Sequence, residues 1–237
     1  TFMKVLLVSD YFYPFTPGGS EWSVYELAKA FTAKNIETLI ATINYGTKET
    51  EQYNNIKIKR IPFPKKLNKA RSVVNPIWQN NPIFFIVSAL NLFRIIQEKK
   101  PNIIHVNGKY LIPGAIIAGF FTKRPVIITS RDKQIFCSIG KCFFEHHRFK
   151  ACGFWEYVTS DFPWFSKNYV ADKPLAIIYA FFGVVWARIS ANLIKFFAKH
   201  SSAVTAISIS QKTYLEANGF KNVSVIYNTA NFKLPKN

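Results

Sequence analysis

Short apolar runs alternate with segments of helical period along most of this chain. Val5-Leu6-Leu7-Val8 is an uninterrupted apolar run of strand length that stops at Ser9-Asp10. After a proline-rich turn, Val24, Leu27, Ala28 and Phe31 recur at helical spacing on one face. Glu37 to Ile43 reads as a second strand, and Ile56, Ile58 and Ile61 suggest a third. An apolar helix follows over about Ile83 to Gln97, and Pro101-Asn102 leads into the buried run Ile103-Ile104-His105-Val106. The pattern then repeats: a helix over about Ile112 to Phe121, the strand Pro125-Val126-Ile127-Ile128-Thr129, and a strand at Ala203 to Ile207. A helix from about Gln211 to Asn218, closed by Gly219, and the strand Val223 to Tyr227 complete it. Short apolar strands alternating with helices predict an α/β fold with a parallel sheet covered on both faces. Ligands of such sheets bind outside the carboxyl ends of the strands. The polar residues predicted at those ends are Asp10, His105, Asn107, Arg131, Asp132, Ser208 and Asn228.

The first strand-to-helix turn carries its own chemistry. Pro17-Gly18-Gly19-Ser20-Glu21 stands at the expected helix start. Adjacent glycines let a backbone approach a ligand closely, and free N–H groups at a helix start attract phosphate or another anion. Two glycines also serve simply to turn a chain. The other residues have equally plain alternatives: a core histidine at His105, a turn-capping carboxylate at Asp10, a local ion pair at Arg131-Asp132. Convergence on one sheet edge is what favours a binding site.

Composition changes the picture at the surface. The 237 residues, 49% of them hydrophobic, suffice for a full core in one domain. Thirty-one Lys and Arg against 13 Asp and Glu give a formal charge of +18, which predicts attraction to phosphates on nucleic acid, membrane or substrate. From Gln52 to Gln97 there is no acidic residue, while Lys57, Lys59, Arg60, Lys65, Lys66, Lys69 and Arg71 crowd together. That basic segment, with Phe63, Trp78, Phe84 and Phe85 as expected exposed aromatics, predicts contact with an anionic membrane surface. From Arg188 onward, Arg188, Asn192, Lys195 and Lys199 recur on one helical face and Ile189, Leu193 and Phe196 on another. This pattern fits either a surface amphipathic helix or an ordinary core-facing one. No transmembrane span is expected, because prolines interrupt Ser72 to Phe93 and the apolar run Pro174 to Ala187 is short. The run at Val5 leads into a turn rather than a cleavage site, so a cytoplasmic location, peripheral at the inner membrane face, is expected. Cys137, Cys142 and Cys152, with His146 and His147 between them, hold enough soft ligands for a zinc ion. Free thiols in a reducing compartment are the plainer reading.

Taken together, KVLLVSDYFYPFTPGGSEWSVYELAKAF, PNIIHVNG, VIITSRD, AVTAISISQKTYLEANGF and VSVIYNTAN resemble, in order and spacing, the N-terminal domain of a family 4 glycosyltransferase of the GT-B type. The resemblance implies a Rossmann-like parallel β-sheet over 1–237, with an acceptor- or membrane-side insertion over 133–175. By it, Gly18 and Gly19 meet the donor diphosphate and Glu21 is the acid that follows the glycines. His105 and Asn107 form the pocket floor, and Ser208 and Asn228 stand where the family has a serine and the asparagine that opens the crossing to a second domain. Two departures stand out. Arg131-Asp132 replaces a frequent His-Asp pair, and a guanidinium stays charged where an imidazole exchanges protons. This implies Arg131 as partner of the departing diphosphate and Asp132 as the residue that orients the acceptor. The chain also stops at Asn237, just past the crossing, whereas the family's nucleotide-sugar pocket and paired glutamates lie on the C-terminal domain. The implied activity is the acceptor-binding half of a glycosyltransferase acting on a lipid-linked or cell-surface glycan precursor. Its donor would be UDP- or GDP-linked, bound with a missing domain or a partner chain, and no metal would be required. The alternatives are a non-catalytic glycan- or lipid-binding subunit and a basic nucleic-acid-binding protein, the latter supported only by charge.

Overall fold

A computed structural model of the protein describes residues 3–131, 154–156, 158–159, 162–167 and 176–228. Strands form where aliphatic runs occur. β1 (Lys4–Ser9) and β2 (Glu37–Ile43) flank α1 (Gly19–Ala33), and β3 (Thr50–Tyr53) turns back onto β4 (Ile56–Ile61). The short α2 (Pro76–Gln79) and α3 (Pro82–Lys99) precede β5 (Ile103–Val106), and α4 (Ile112–Thr122) precedes β6 (Val126–Ser130). Two brief helices, α5 (Phe154–Glu156) and α6 (Phe162–Phe165), and the long α7 (Ala176–Lys199) come before β7 (Ala203–Ala206). α8 (Ile209–Ala217) then leads to β8 (Val223–Val225).

Among the described residues these strands make one sheet in the order β3-β4-β2-β1-β5-β6-β7-β8. Every pairing is parallel except that of β3 with β4. The order reverses between β1 and β5, which makes that crevice the topological switch point. Alternation along each strand divides the core. Leu6, Val8, Ile104, Val106, Ile128 and Val204 pack beneath α3, α4, α7 and α8, and Val5, Leu7, Ile40 and Ile58 pack against Val24 and Ala28 of α1. The expected α/β sheet with helices on both faces is therefore present.

Several sequence expectations change. β3 reads Thr-Glu-Gln-Tyr and has no apolar signature; it exists because Asn54 and Asn55, both at positive φ (46° and 64°), close a two-residue hairpin onto β4. Phe84 and Phe85 are buried in the core instead of exposed, and Phe63 packs half-buried against it, so of the four expected aromatic anchors only Trp78 reaches the surface. The apolar stretch at 176–187 and the segment from Arg188 form one continuous helix. Within it Phe181–Lys199 is long and apolar enough to cross a membrane by length and composition alone, with mean hydropathy 1.3, where no such span was expected. Of the two readings of this helix, the core-facing one fails for its apolar stripe: Ile189 and Phe196 face outward, while Ser190, Ala191, Ile194 and Ala198 are buried.

α3 and α4 approach closely because Gly114 has no side chain. A Cβ there would overlap the Ser88 side chain and lie 2.9 Å from the Ala89 backbone nitrogen. Gly114→Ala, a change that stabilises an open helix by up to about 1 kcal/mol, is expected to destabilise this protein by roughly 1–3 kcal/mol through overpacking. The measurement is the urea midpoint, which should fall with the m-value unchanged.

Candidate active site at the carboxyl edge of the sheet

β1 delivers Asp10 to the switch point, and there the carboxylate is buried. It accepts hydrogen bonds from the backbone N–H groups of Lys109 (2.6 Å), Tyr110 (3.1 Å) and Leu111 (3.1 Å), immediately before α4. A negative group at a helix start is electrostatically favoured there. The neighbouring Gly108 permits this approach, since a Cβ at that position would lie 2.5 Å from Asp10 Cγ. Burial pushes the Asp10 carboxyl up to about 6, while the three N–H donors and the charge of Lys109 act in the opposite sense. Asp10 does cap a loop, but that of β5 rather than its own.

The loop after β1 is fixed by a buried aromatic pair. Tyr11 and Tyr45 stack with ring centroids 4.7 Å apart, and the Gln79 amide donates to both hydroxyl groups, at 3.1 and 2.6 Å. Tyr45 in turn donates to the Asp10 carbonyl. This loop ends at the glycine pair. Gly18 N–H donates to Glu21 Oε2 at 2.9 Å, and Ser20 Oγ donates to Glu21 Oε1 at 2.7 Å. Glu21 is itself buried, so its carboxylate shapes the first turn of α1. Neither glycine is needed for the turn. Gly18 has an extended backbone (φ −143°), a Cβ on it would make only an ordinary contact with Glu21, and a Cβ on Gly19 would meet nothing within 4 Å among the described residues.

Arg131, at the end of β6, joins three other parts of the chain. Its guanidinium donates to Ser23 Oγ on α1 (2.6 Å), to Asn228 Oδ1 beyond β8 (2.7 Å) and to Asn107 Oδ1 beyond β5 (2.9 Å). Ser23 Oγ also donates to Asn228 at 3.2 Å. His105 lies one layer deeper, with Nε2 2.7 Å from Thr129 Oγ1, which is 2.7 Å from Thr205 Oγ1. Burial, and then the nearby Arg131 charge, pushes this imidazole down to about 4. At neutral pH it is an uncharged hydrogen-bonding group. Ser208 caps α8, accepting from Gln211 N–H at 3.1 Å, and the Gln211 amide reaches Ser130 Oγ at 2.7 Å.

The sheet edge thus brings together Gly18, Gly19, Glu21, Asn107, Arg131 and Asn228, with His105 behind them and Ser208 at the adjacent helix start. Asp132, the three cysteines, His146 and His147 lie outside the described residues. Sequence reasoning missed Ser23, Thr129, Thr205 and Gly108. The two threonines carried a usable signal, as hydroxyls placed at the carboxyl ends of otherwise aliphatic strands.

The family model for Glycosyltransferase Family 4 matches residues 17–233. The chain belongs to glycosyltransferase family 4. A curated Klebsiella pneumoniae protein, described as an uncharacterized 42.6 kDa protein in the cps region, is 28% identical over 137 residues, covering 55% of this chain and 37% of that protein. Among solved structures, sucrose-phosphate synthase from Thermosynechococcus elongatus superposes with a TM-score of 0.54 at 10% identity, over 95% of this chain and 48% of that one. The lipopolysaccharide outer core galactosyltransferase WaaB gives 0.52 at 14% identity, over 98% and 47%. The fold is that of one half of a GT-B enzyme, and the chain spans less than half the length of each of these three proteins.

Asp10 and His105 bias stability in opposite directions over one pH range. The folded state holds the Asp10 proton more tightly than the unfolded state does, so this group loses about 3 kcal/mol of stability as pH rises from about 4 to about 6. The folded state holds the His105 proton less tightly, so this group gains about 3 kcal/mol as pH rises from about 4 to 6.5. His105→Gln is expected to expose stability falling with pH, and Asp10→Asn stability rising with pH. Urea midpoints taken across this range check both signs.

Proposed function

We propose that this chain is the acceptor-binding half of a nucleotide-sugar-dependent glycosyltransferase. It transfers a sugar from a UDP- or GDP-linked donor to a hydroxyl of a lipid-linked or cell-surface glycan precursor at the cytoplasmic face of the membrane. The observation that carries this reading is the glycine helix start at Gly18-Gly19 lying on the same sheet edge as the Arg131–Ser23–Asn107–Asn228 cluster. First-turn N–H groups of α1 and a permanently charged guanidinium are what a departing diphosphate needs. Neutral His105 contributes a half-buried hydrogen-bonding floor instead of a proton shuttle, and Asp132 is assigned to orienting the acceptor. The base, ribose and sugar of the donor are assigned to a second domain, carried either by the same polypeptide or by a partner. No metal takes part in the chemistry we assign to this half.

The chain alone should bind UDP or GDP only in the millimolar range, about 4 kcal/mol, and should transfer no sugar. Supplying the second domain should restore tight binding and turnover with a membrane extract as acceptor source. In that restored enzyme, Arg131→Gln is expected to lower turnover by roughly a hundredfold or more. Gly19→Val should block transfer while leaving the folding free energy within about 0.5 kcal/mol of wild type, since among the described residues no atom lies within 4 Å of an added Cβ. Isothermal titration and donor hydrolysis-corrected transfer assays measure these outcomes. Efficient transfer by the 237-residue chain alone would overturn the two-part assignment.

A further inference from the structure

Four aromatic rings form a continuous row on the α1 side of the sheet. Tyr13, in the loop between β1 and the glycine pair, stacks on Tyr53 of β3 with ring centroids 3.9 Å apart and planes 14° from parallel. Tyr53 meets Tyr25 of α1 at 5.7 Å, and Tyr25 meets Trp22, nearer the helix start, at 6.2 Å. The two ends of the row are its exposed members: Tyr13 is 39% and Trp22 55% exposed, while Tyr25 and Tyr53 pack half-buried against the core beneath α1. Trp22 immediately precedes Ser23, the partner of Arg131, so this end of the row adjoins the candidate active site. The rings are fixed from below. The buried Arg60 guanidinium donates to the carbonyls of Tyr13 (2.8 Å) and Lys48 (2.7 Å) and pairs with Glu51 (2.8 Å), tying the loop of Tyr13 to β3 and β4. The Asn54 amide, in the turn between β3 and β4, donates to the Tyr25 hydroxyl at 2.8 Å. Rings held in this way offer contact area to a ligand at little cost in conformational entropy.

Charge and polar chemistry identify the occupant. The chain carries +18 overall, yet the cations that touch or fix these rings are paired with acids: Lys29, over the Tyr25 ring, with Glu26 at 3.3 Å, and Arg60 with Glu51. A phosphate-rich polymer binds through cations that are free to neutralise it, and these two are already engaged. The groups beside the rings are instead the exposed amides of Gln52 and Asn54 and the half-buried carboxylates of Glu26 and Glu51. A sugar ring presents apolar C–H faces and a rim of hydroxyl groups. Aromatic rings cover the faces, and amide and carboxylate oxygens accept from the hydroxyls.

We infer that the row Tyr13, Tyr53, Tyr25 and Trp22 is a binding site for a neutral oligosaccharide, and that it holds sugars of the acceptor chain remote from the hydroxyl that reacts. The role as acceptor rests on the transfer reading above; the binding itself does not. A site of this kind makes the acceptor a saccharide of several units, with the sugars beyond the reacting one gripped along α1.

Saturation-transfer NMR of the 237-residue chain with neutral gluco-, galacto- and manno-oligosaccharides of increasing length, without donor, is the first test. At least one series should bind, and more tightly as it lengthens. Trp22→Ala and Tyr13→Ala should each weaken that binding about tenfold, and Trp22→Phe should restore most of it. Phe120→Ala, at an exposed aromatic of α4 on the opposite face of the sheet, should leave it unchanged. In the enzyme completed with its second domain, Trp22→Ala should raise KM for the membrane-extract acceptor and leave KM for the donor as it was. Absence of binding in every series would overturn the inference. So would binding that both alanine variants leave intact, or poly(dT) binding at these residues more tightly than any of the oligosaccharides. Row-dependent oligosaccharide binding by a completed enzyme that transfers no sugar would support the site and overturn the transfer reading, and with it the acceptor role.

Discussion

The Asp10 carboxylate, buried on the backbone N–H groups of Lys109, Tyr110 and Leu111, is the constraint on which the rest of the site depends. It ties the end of β1 to the start of α4 across the point where the strand order reverses. Hydrogen bonds to a charged group contribute roughly 1.5–3 kcal/mol each, and leaving their donors unpaired in the interior costs a comparable amount. The arrangement offsets part of the desolvation that raises the carboxyl pKa, and it fixes where the chain leaves β5. Asn107, one residue short of the glycine that makes room for Asp10, is thereby held where its amide oxygen accepts from Arg131. The aromatic pair Tyr11–Tyr45 and the Gln79 amide extend the same constraint outward, joining the loop after β1 to the segment before α3.

Arg131 is the second organising group, and it works by reach. A guanidinium offers several donors in a fixed plane, and here two of its nitrogens engage Ser23, Asn107 and Asn228 from three separate elements. Each of these three partners is a neutral oxygen. One side chain therefore connects the glycine-loop helix, the pocket floor and the segment that leaves the sheet after β8. A lysine would offer a point charge without that planar fork, so the two cations are not equivalent at this position.

Most strands were legible because their residues are aliphatic and bounded by turn residues; β2 and β5 fall at the limits that periodicity alone suggests. β3 was not, since four residues of Thr, Glu, Gln and Tyr become a strand only by pairing with β4, and the sole local cue was the Asn54-Asn55 pair. The carboxyl-edge residues were legible as a set from topology, but their partners were not. Asp10 meets groups about a hundred positions away, and no local pattern encodes such a contact. The helix at α7 shows the same limit in another form. Its periodicity located an apolar and a basic face, yet which face the core would accept depended on small residues, Ser190, Ala191 and Ala198, fitting beneath neighbouring helices.

The glycines divide into two kinds with different consequences for how this chain tolerates change. Gly108 and Gly114 are held by close packing inside the fold, so any side chain there is registered as lost stability. At Gly18 and Gly19, by contrast, nothing among the described residues requires glycine: Gly18 is extended, Gly19 begins α1, and an added Cβ on either meets no clash. Selection for folding alone, for example by protease resistance or soluble yield, would let the second pair drift while keeping the first. Selection for ligand capture would keep both, and the contrast between the two selections would separate scaffold from site without any knowledge of the substrate.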